Sequence, residues 1–202
     1  MRTVDPAKRE AKRLQILEAA ARCFARKGFG QTRTADICAE AGMSPGNLFY
    51  YFGSKQDIFA AVVEQDGADT EALFADLSAA EPWDALTKFF DLVIALAADA
   101  EYARLTLEIS AQAHRDERIA ALVATNDQLV RSGLADLVDR ATEAGRIDPG
   151  LDPTTTATWL AALVDGLFNR VAVDASFVPK RERETLQLVL TRLLRHAVQV
   201  ES

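Results

Sequence analysis

Apolar residues recur every three or four positions along most of the chain, the period of a helix buried on one side. Strand-like alternation bounded by turn signals is absent, as are internal repeats and low-complexity tracts. The pattern predicts an all-α protein. Residues 1–7 read as a loose arm. A first helix is expected from Lys8 to Lys27, with Leu14, Leu17, Ala21 and Phe24 as its inward stripe. Arg26 and Lys27 suit the negative end of its dipole, and Gly28 suits a left-handed cap. Thr32 is expected to cap a short second helix, with Asp36 near its positive end and Ile37 and Ala41 inward. Gly42 permits a tight turn. Ser44 then caps a third helix that has Pro45 in its first position, where the missing N–H costs nothing. Leu48 and Phe52 anchor that helix, and Gly53 ends it. Ser54-Lys55-Gln56-Asp57 opens a fourth helix reaching about Leu77.

Longer helices follow. One is expected over about Pro82–Ala98, with Leu86, Phe89, Phe90, Val93 and Ala97 inward, and one over Glu101–His114. A long one spans Asp116–Ala144 and carries Ile119, Leu122, Val123, Leu129, Val130, Leu134, Leu137 and Val138. Asp148-Pro149-Gly150 marks a turn. Asp152-Pro153 restarts a helix with Trp159, Leu160, Leu163, Val164, Leu167, Phe168 and Val171 apolar. A last helix after Pro179 carries Leu186, Val189, Leu190, Leu193, Leu194 and Ala197. The expected organisation is a three-helix head over residues 1–53 and a C-terminal helical bundle over 54–202.

Charge is distributed unevenly. The net charge of the 202 residues is -7, yet residues 1–55 hold ten Lys/Arg against five Asp/Glu. The remainder holds thirteen against twenty-five. A basic head on an acidic body fits a surface for nucleic acid on a body that nucleic acid repels. No apolar run approaches the ~18 residues that span a bilayer. The charged N-terminus has no apolar signal region, so a cytoplasmic location is expected. Cys23 and Cys38 lack the spacing of a metal or redox site and read as small core residues.

Two short helices meeting at Gly42 have the outline of a helix-turn-helix, with Ser44 to Phe52 offered to a DNA groove. Small residues at its start, Ser44, Pro45 and Gly46, allow close approach to base edges. Asn47 offers a donor and an acceptor, adenine being its best geometric match. Phe49 suits a thymine methyl, and the hydroxyls of Tyr50 and Tyr51 suit phosphates; simple packing is the alternative for the three, and is expected in part for Tyr51. Thr32, Arg33 and Thr34 open the second helix and Lys55 the fourth, both positions favouring phosphate. Residues 42–46, G-M-S-P-G, also match a serine-nucleophile pattern. That pattern requires a strand-to-helix elbow; here a helix precedes it and Ser44 already serves as a cap. His114 and His196 show no carboxylate partner, and no phosphate-cradling glycine loop is present. No catalytic, metal or cofactor site is therefore assigned.

From about Leu14 to Phe59 the chain resembles the DNA-binding domain of TetR-family transcriptional regulators. The resemblance rests on Ala19-Ala20, Phe24, Gly28-Phe29, Thr32, Asp36-Ile37, Ala41-Gly42-Met43-Ser44, Gly46, Leu48, Tyr51-Phe52 and Ser54-Lys55. It implies a homodimer, usually a repressor, whose two heads read a palindromic operator and respond to a small molecule bound in the C-terminal domain. Two positions depart from the pattern: Phe49 stands where tyrosine is frequent, and Pro45 where a polar or basic residue is frequent.

For the effector, the candidate lining is Trp83, Phe89, Phe90, Tyr102, Leu105, Glu108, Ile109, Asn126, Trp159 and Phe168; the apolar ones suit a core as well, and a structural hydrogen bond accounts for Glu108 and Asn126 as well as a ligand does. For the dimer, the broad apolar faces of the last two helices supply Trp159, Leu160, Leu163, Leu167, Val189, Leu190 and Leu193, which also suit packing inside one subunit. Two other classes stay open on the residues: a helical protein-interaction module without DNA binding, and an all-α enzyme, for which no reactive constellation is found.

Overall fold

A computed structural model describes residues 5–148 and 150–195. The expectations for residues 1–4, Pro149, His196 and Ala197 lie outside these. Nine α-helices are described: α1 Pro6–Gln31, α2 Thr34–Ala41, α3 Pro45–Tyr51, α4 Lys55–Leu77, α5 Pro82–Ala97, α6 Ala100–Ala113, α7 Glu117–Glu143, α8 Pro153–Val173 and α9 Arg183–Leu194, with one 3-10 turn at Pro179–Arg181. No strand occurs among the described residues, so the all-α expectation holds.

One device starts four of these helices. Asp5-Pro6, Ser44-Pro45, Glu81-Pro82 and Asp152-Pro153 each place a capping oxygen before a proline. The caps accept from Ala7 N at 3.1 Å, Asn47 N at 3.3 Å, Asp84 N at 2.9 Å and Thr155 N at 2.7 Å. Proline has no N–H to satisfy and its φ is already helical, while the oxygen satisfies one donor that the first turn leaves open. This is also why α1 starts at Pro6, inside the expected arm.

Packing divides the chain into two units: residues 1–68 with 104–124, and 69–103 with 125–202. The boundary expected at 53/54 falls inside the first unit, because the short head helices lack enough apolar surface to close a core alone. Ile16, Leu17, Ala20, Cys23, Phe24, Ile37, Cys38, Leu48 and Phe52 join Ile58, Phe59, Val62 and Ile119 in one cluster, with Leu105, Ile109 and Leu122 against it. Leu14 points outward and is 36% exposed, contrary to expectation; Ile16 and Ala20 take the inward stripe.

The second unit has its own core of Leu86, Phe89, Phe90, Ile94, Leu134, Val138, Leu160, Phe168, Leu186, Leu190 and Leu194. Leu160 is fully buried, and Leu167 and Leu190 are buried too, so these three hold the subunit together rather than facing a partner. Trp159, Val189 and Leu193 lie on the other side of α8 and α9 and are 67%, 43% and 44% exposed; Leu163 is half-buried. The turn at Asp148 forms as composition suggested, Gly150 N donating to Asp148 Oδ1 at 2.8 Å.

Candidate nucleic-acid interface

The interface is built on α1. Arg22 Nε donates to Glu40 Oε1 at 2.7 Å, Arg26 donates to the other oxygen of Glu40, and Lys27 Nζ reaches Asp36 Oδ1 at 2.8 Å. These pairs brace α1 on α2. The Arg22 guanidinium, then that of Arg26, holds the Glu40 carboxyl below its ordinary range; the Lys27 ammonium, then the Arg33 N–H, does the same for Asp36. Gln15 Nε2 ties α1 to Ala41 O at 2.8 Å, where α2 ends. Gly42 then turns the chain at φ 63°, ψ 40°, the left-handed conformation that glycine adopts at least cost, and Met43 N closes the turn on Cys38 O at 2.9 Å.

From that turn α3 is set by two buried anchors. Leu48 is fully buried, and Phe52 at the C-cap is 8% exposed. A helix held along one edge presents its opposite edge. Ser44, Pro45, Gly46 and Asn47 are all exposed, Phe49 is 50% exposed and Tyr50 61%. Tyr51 is half-buried; its ring meets that of Tyr50 edge-on at 5.2 Å, and it packs against the head core.

At the start of α2 the structure redistributes roles. The N-cap is Arg33, whose N–H is taken by Asp36 Oδ2 at 2.8 Å; Arg33 is exposed and Thr34 half-buried. Thr32 is not the cap. It is 1% exposed, and its hydroxyl donates to Gly28 O at 2.7 Å, in reach also of Cys23 O at 3.2 Å. An inward hydroxyl has nothing to offer a phosphate. Lys55 is likewise turned in: its Nζ donates to Phe29 O at 2.6 Å and Thr32 O at 2.8 Å. Ser54 caps α4, accepting from Asp57 N at 3.1 Å, while Arg118 Nη1 pairs with Asp57 at 2.8 Å. Sequence reasoning missed this bracing by Glu40 and Asp36. The i, i+4 spacing of Arg22 and Arg26 is its only local signal.

The ten effector candidates separate. Leu105, Glu108 and Ile109 belong to the first unit, where Leu105 and Ile109 pack against its core and Glu108 Oε1 accepts from Phe29 N at 2.8 Å. Phe89, Phe90 and Phe168 are buried in the second core; Tyr102 is half-buried, its ring 5.9 Å from that of Phe168. Asn126 is half-buried on α7. Trp159 is at the surface. Trp83 and Phe90 share a cleft of about 160 Å³, with Leu86, Thr87, Gln187 and Leu190 also in its wall. The Arg195 guanidinium lies 3.7 Å from the Trp83 ring centre.

Known proteins resemble this chain over most of its length. The family described as bacterial regulatory proteins, tetR family, matches residues 16–62, and the BetI-type transcriptional repressor C-terminal family matches 82–196, more than half of the chain. The regulator UidR of Escherichia coli is 27% identical over 167 residues, covering 80% of this chain and 82% of that one. The repressor AcnR of Corynebacterium glutamicum is 25% identical over 164 residues, covering 81% and 84%. Among solved structures, Salmonella enterica GusR superposes with a TM-score of 0.73 at 28% identity over 96% of this chain and 99% of its own. A transcriptional regulator from Saccharomonospora viridis in complex with choline superposes at 0.80 with 22% identity, over 93% and 100%. The chain belongs to the TetR family and is a DNA-binding transcriptional repressor.

Proposed function

We propose that this protein acts in the cytoplasm as a homodimer on a palindromic operator and leaves it when a small molecule binds the helical domain. The observation that carries the DNA reading is the exposed edge of α3. Ser44, Pro45, Gly46 and Asn47 open toward solvent at the N-terminal end while Leu48 is fully buried behind them. A groove about 12 Å wide admits this end, with Asn47 reading a base, Phe49 touching a thymine methyl, and Arg33, Thr34 and Tyr50 meeting the backbone. Tyr51 contributes in part. Thr32 and Lys55 support the surface from behind.

The outer faces of α8 and α9 support pairing. A tryptophan 67% exposed on α8, with Val189 and Leu193 exposed on α9, is costly to leave in water, and a second copy of the same face covers it. Two heads then meet successive major grooves. The choline bound by the Saccharomonospora viridis regulator supports a small-molecule effector here; ligand acts by favouring a dimer whose heads no longer fit both half-sites.

A mobility-shift assay with the DNA flanking the gene tests this reading. A sequence-specific shift is expected from folded dimer. A folded dimer with no preference over random DNA at low salt would overturn it, and would leave a helical interaction module in its place.

A further inference from the structure

Phe29 follows the kink at Gly28, in the last turn of α1, and is held by several contacts. Its N–H donates to Glu108 Oε1 at 2.8 Å and its carbonyl accepts from Lys55 Nζ at 2.6 Å. The same ammonium lies 4.3 Å from the centre of its ring, which packs against Phe59 at 5.0 Å and Phe24 at 5.9 Å. Lys55 also takes Thr32 O at 2.8 Å, and Gln112 Nε2 steadies Glu108 at 2.9 Å. Next to it Gly28 has φ 72° and ψ 163°, and a Cβ there would lie 3.3 Å from Glu108 Oε2. The turn is thus gripped between a carboxylate from α6 and an ammonium from α4. It leads through Thr32 to Arg33, the exposed N-cap of α2.

Two charged side chains committed to one short turn are poor value as stability alone, since apolar packing serves a core as well or better. They do fix the position of peptide groups to within a few tenths of an ångström. We propose that Glu108 and Lys55 are positioning residues for operator binding: they set the Gly28–Thr32 turn, and through it Arg33, Thr34 and the N-terminus of α2. Lys55 acts on two carbonyls and not on a phosphate. This rests on the operator reading above.

The sharpest test uses the sign of the charge. Removing a negative charge strengthens DNA binding if the charge acts only through its field, whereas losing a positioning carboxylate weakens it. Glu108→Ala and Glu108→Gln remove the same charge, but only glutamine keeps an acceptor for Phe29 N–H. Binding to a duplex selected from a random pool is measured by fluorescence anisotropy from about 50 to about 200 mM salt. Glu108→Ala is expected to bind about tenfold more weakly and Glu108→Gln close to wild type. Lys55→Met is expected to lose about tenfold with the salt slope unchanged. In the free protein, amide exchange of Phe29 is expected to speed up about tenfold in Glu108→Ala and to stay near wild type in Glu108→Gln.

Tighter binding by both Glu108 variants, or a salt slope smaller by about 0.9 in Lys55→Met, would overturn the proposal. Unchanged exchange at Phe29 in Glu108→Ala would do so without reference to DNA. A wild-type protein that selects no duplex would instead sink the operator reading, and the exchange experiment alone then decides whether the grip on the turn exists.

Discussion

The ring of Phe74 on α4 occupies the space beside Gly133 on α7 so closely that a Cβ on Gly133 would lie 2.4 Å from it. That ring is stacked in turn on Phe89 at 5.4 Å. Gly133→Ala is expected to destabilise the protein by about 1–3 kcal/mol, because the added methyl drives an aromatic ring off a packed neighbour. Chemical denaturation measures it. Phe74→Leu in the Gly133→Ala background should recover part of the loss; equal loss in both would mean that the ring is not what the methyl meets.

Gly28, read from the sequence as a left-handed cap, instead kinks α1 three residues before its end. Its φ of 72° with ψ 163° lies in a region that side chains rarely occupy. Gly28→Ala should cost about 1–3 kcal/mol, seen as a lower midpoint of thermal unfolding.

The two sides of α9 should respond differently to a charge. Leu193→Asp, at an exposed position, is expected to give folded monomers in sedimentation. Leu190→Asp, at a buried one, should lower helical content as well as mass. A Leu193→Asp protein that remains dimeric would place the interface elsewhere.

Base reading and phosphate contact separate by salt and sequence. Asn47→Ala should relax preference at one base pair by about 1–3 kcal/mol and leave binding to random DNA unchanged. Arg33→Ala should weaken all sequences alike and reduce the salt slope by about one phosphate. Competition assays over a set of single-base operator variants distinguish the two.

Acid should loosen the head through Glu40, Asp36 and Asp57, each held below the ordinary carboxylate range: by Arg22 and Arg26, by Lys27, and by Arg118. A depressed folded value means that the contribution is complete above that range and is lost as pH falls through and below it. Glu40→Gln should therefore show a shallower fall of melting temperature on acidification than wild type. Because these pairs are exposed, the difference should shrink in high salt. Parallel curves at low salt would show that Glu40 carries none of the acid sensitivity.

Much of the candidate site was legible in the residues because its causes are local. The turn at Gly42, the cap at Ser44, the proline behind it and the anchors Leu48 and Phe52 act within a few positions of one another, and each holds. Thr32 and Lys55 misled for the same reason. Their places at helix starts are right for phosphate, but what occupies their donors lies up to 26 residues away in the chain.

The sequence by itself determined that the chain is helical, where most of its helices begin, that it carries a helix-turn-helix, and which family it resembles. Period, caps and turn residues are short-range causes that a single sequence displays. Only the tertiary structure decided which side of α8 and α9 is core, how far the head's core extends into α4, α6 and α7, and that Glu108 faces a backbone N–H rather than a ligand. A helix period marks a residue as apolar-facing but cannot say what it faces; that depends on long-range packing, where Leu190 is buried and Val189, one position away, is not.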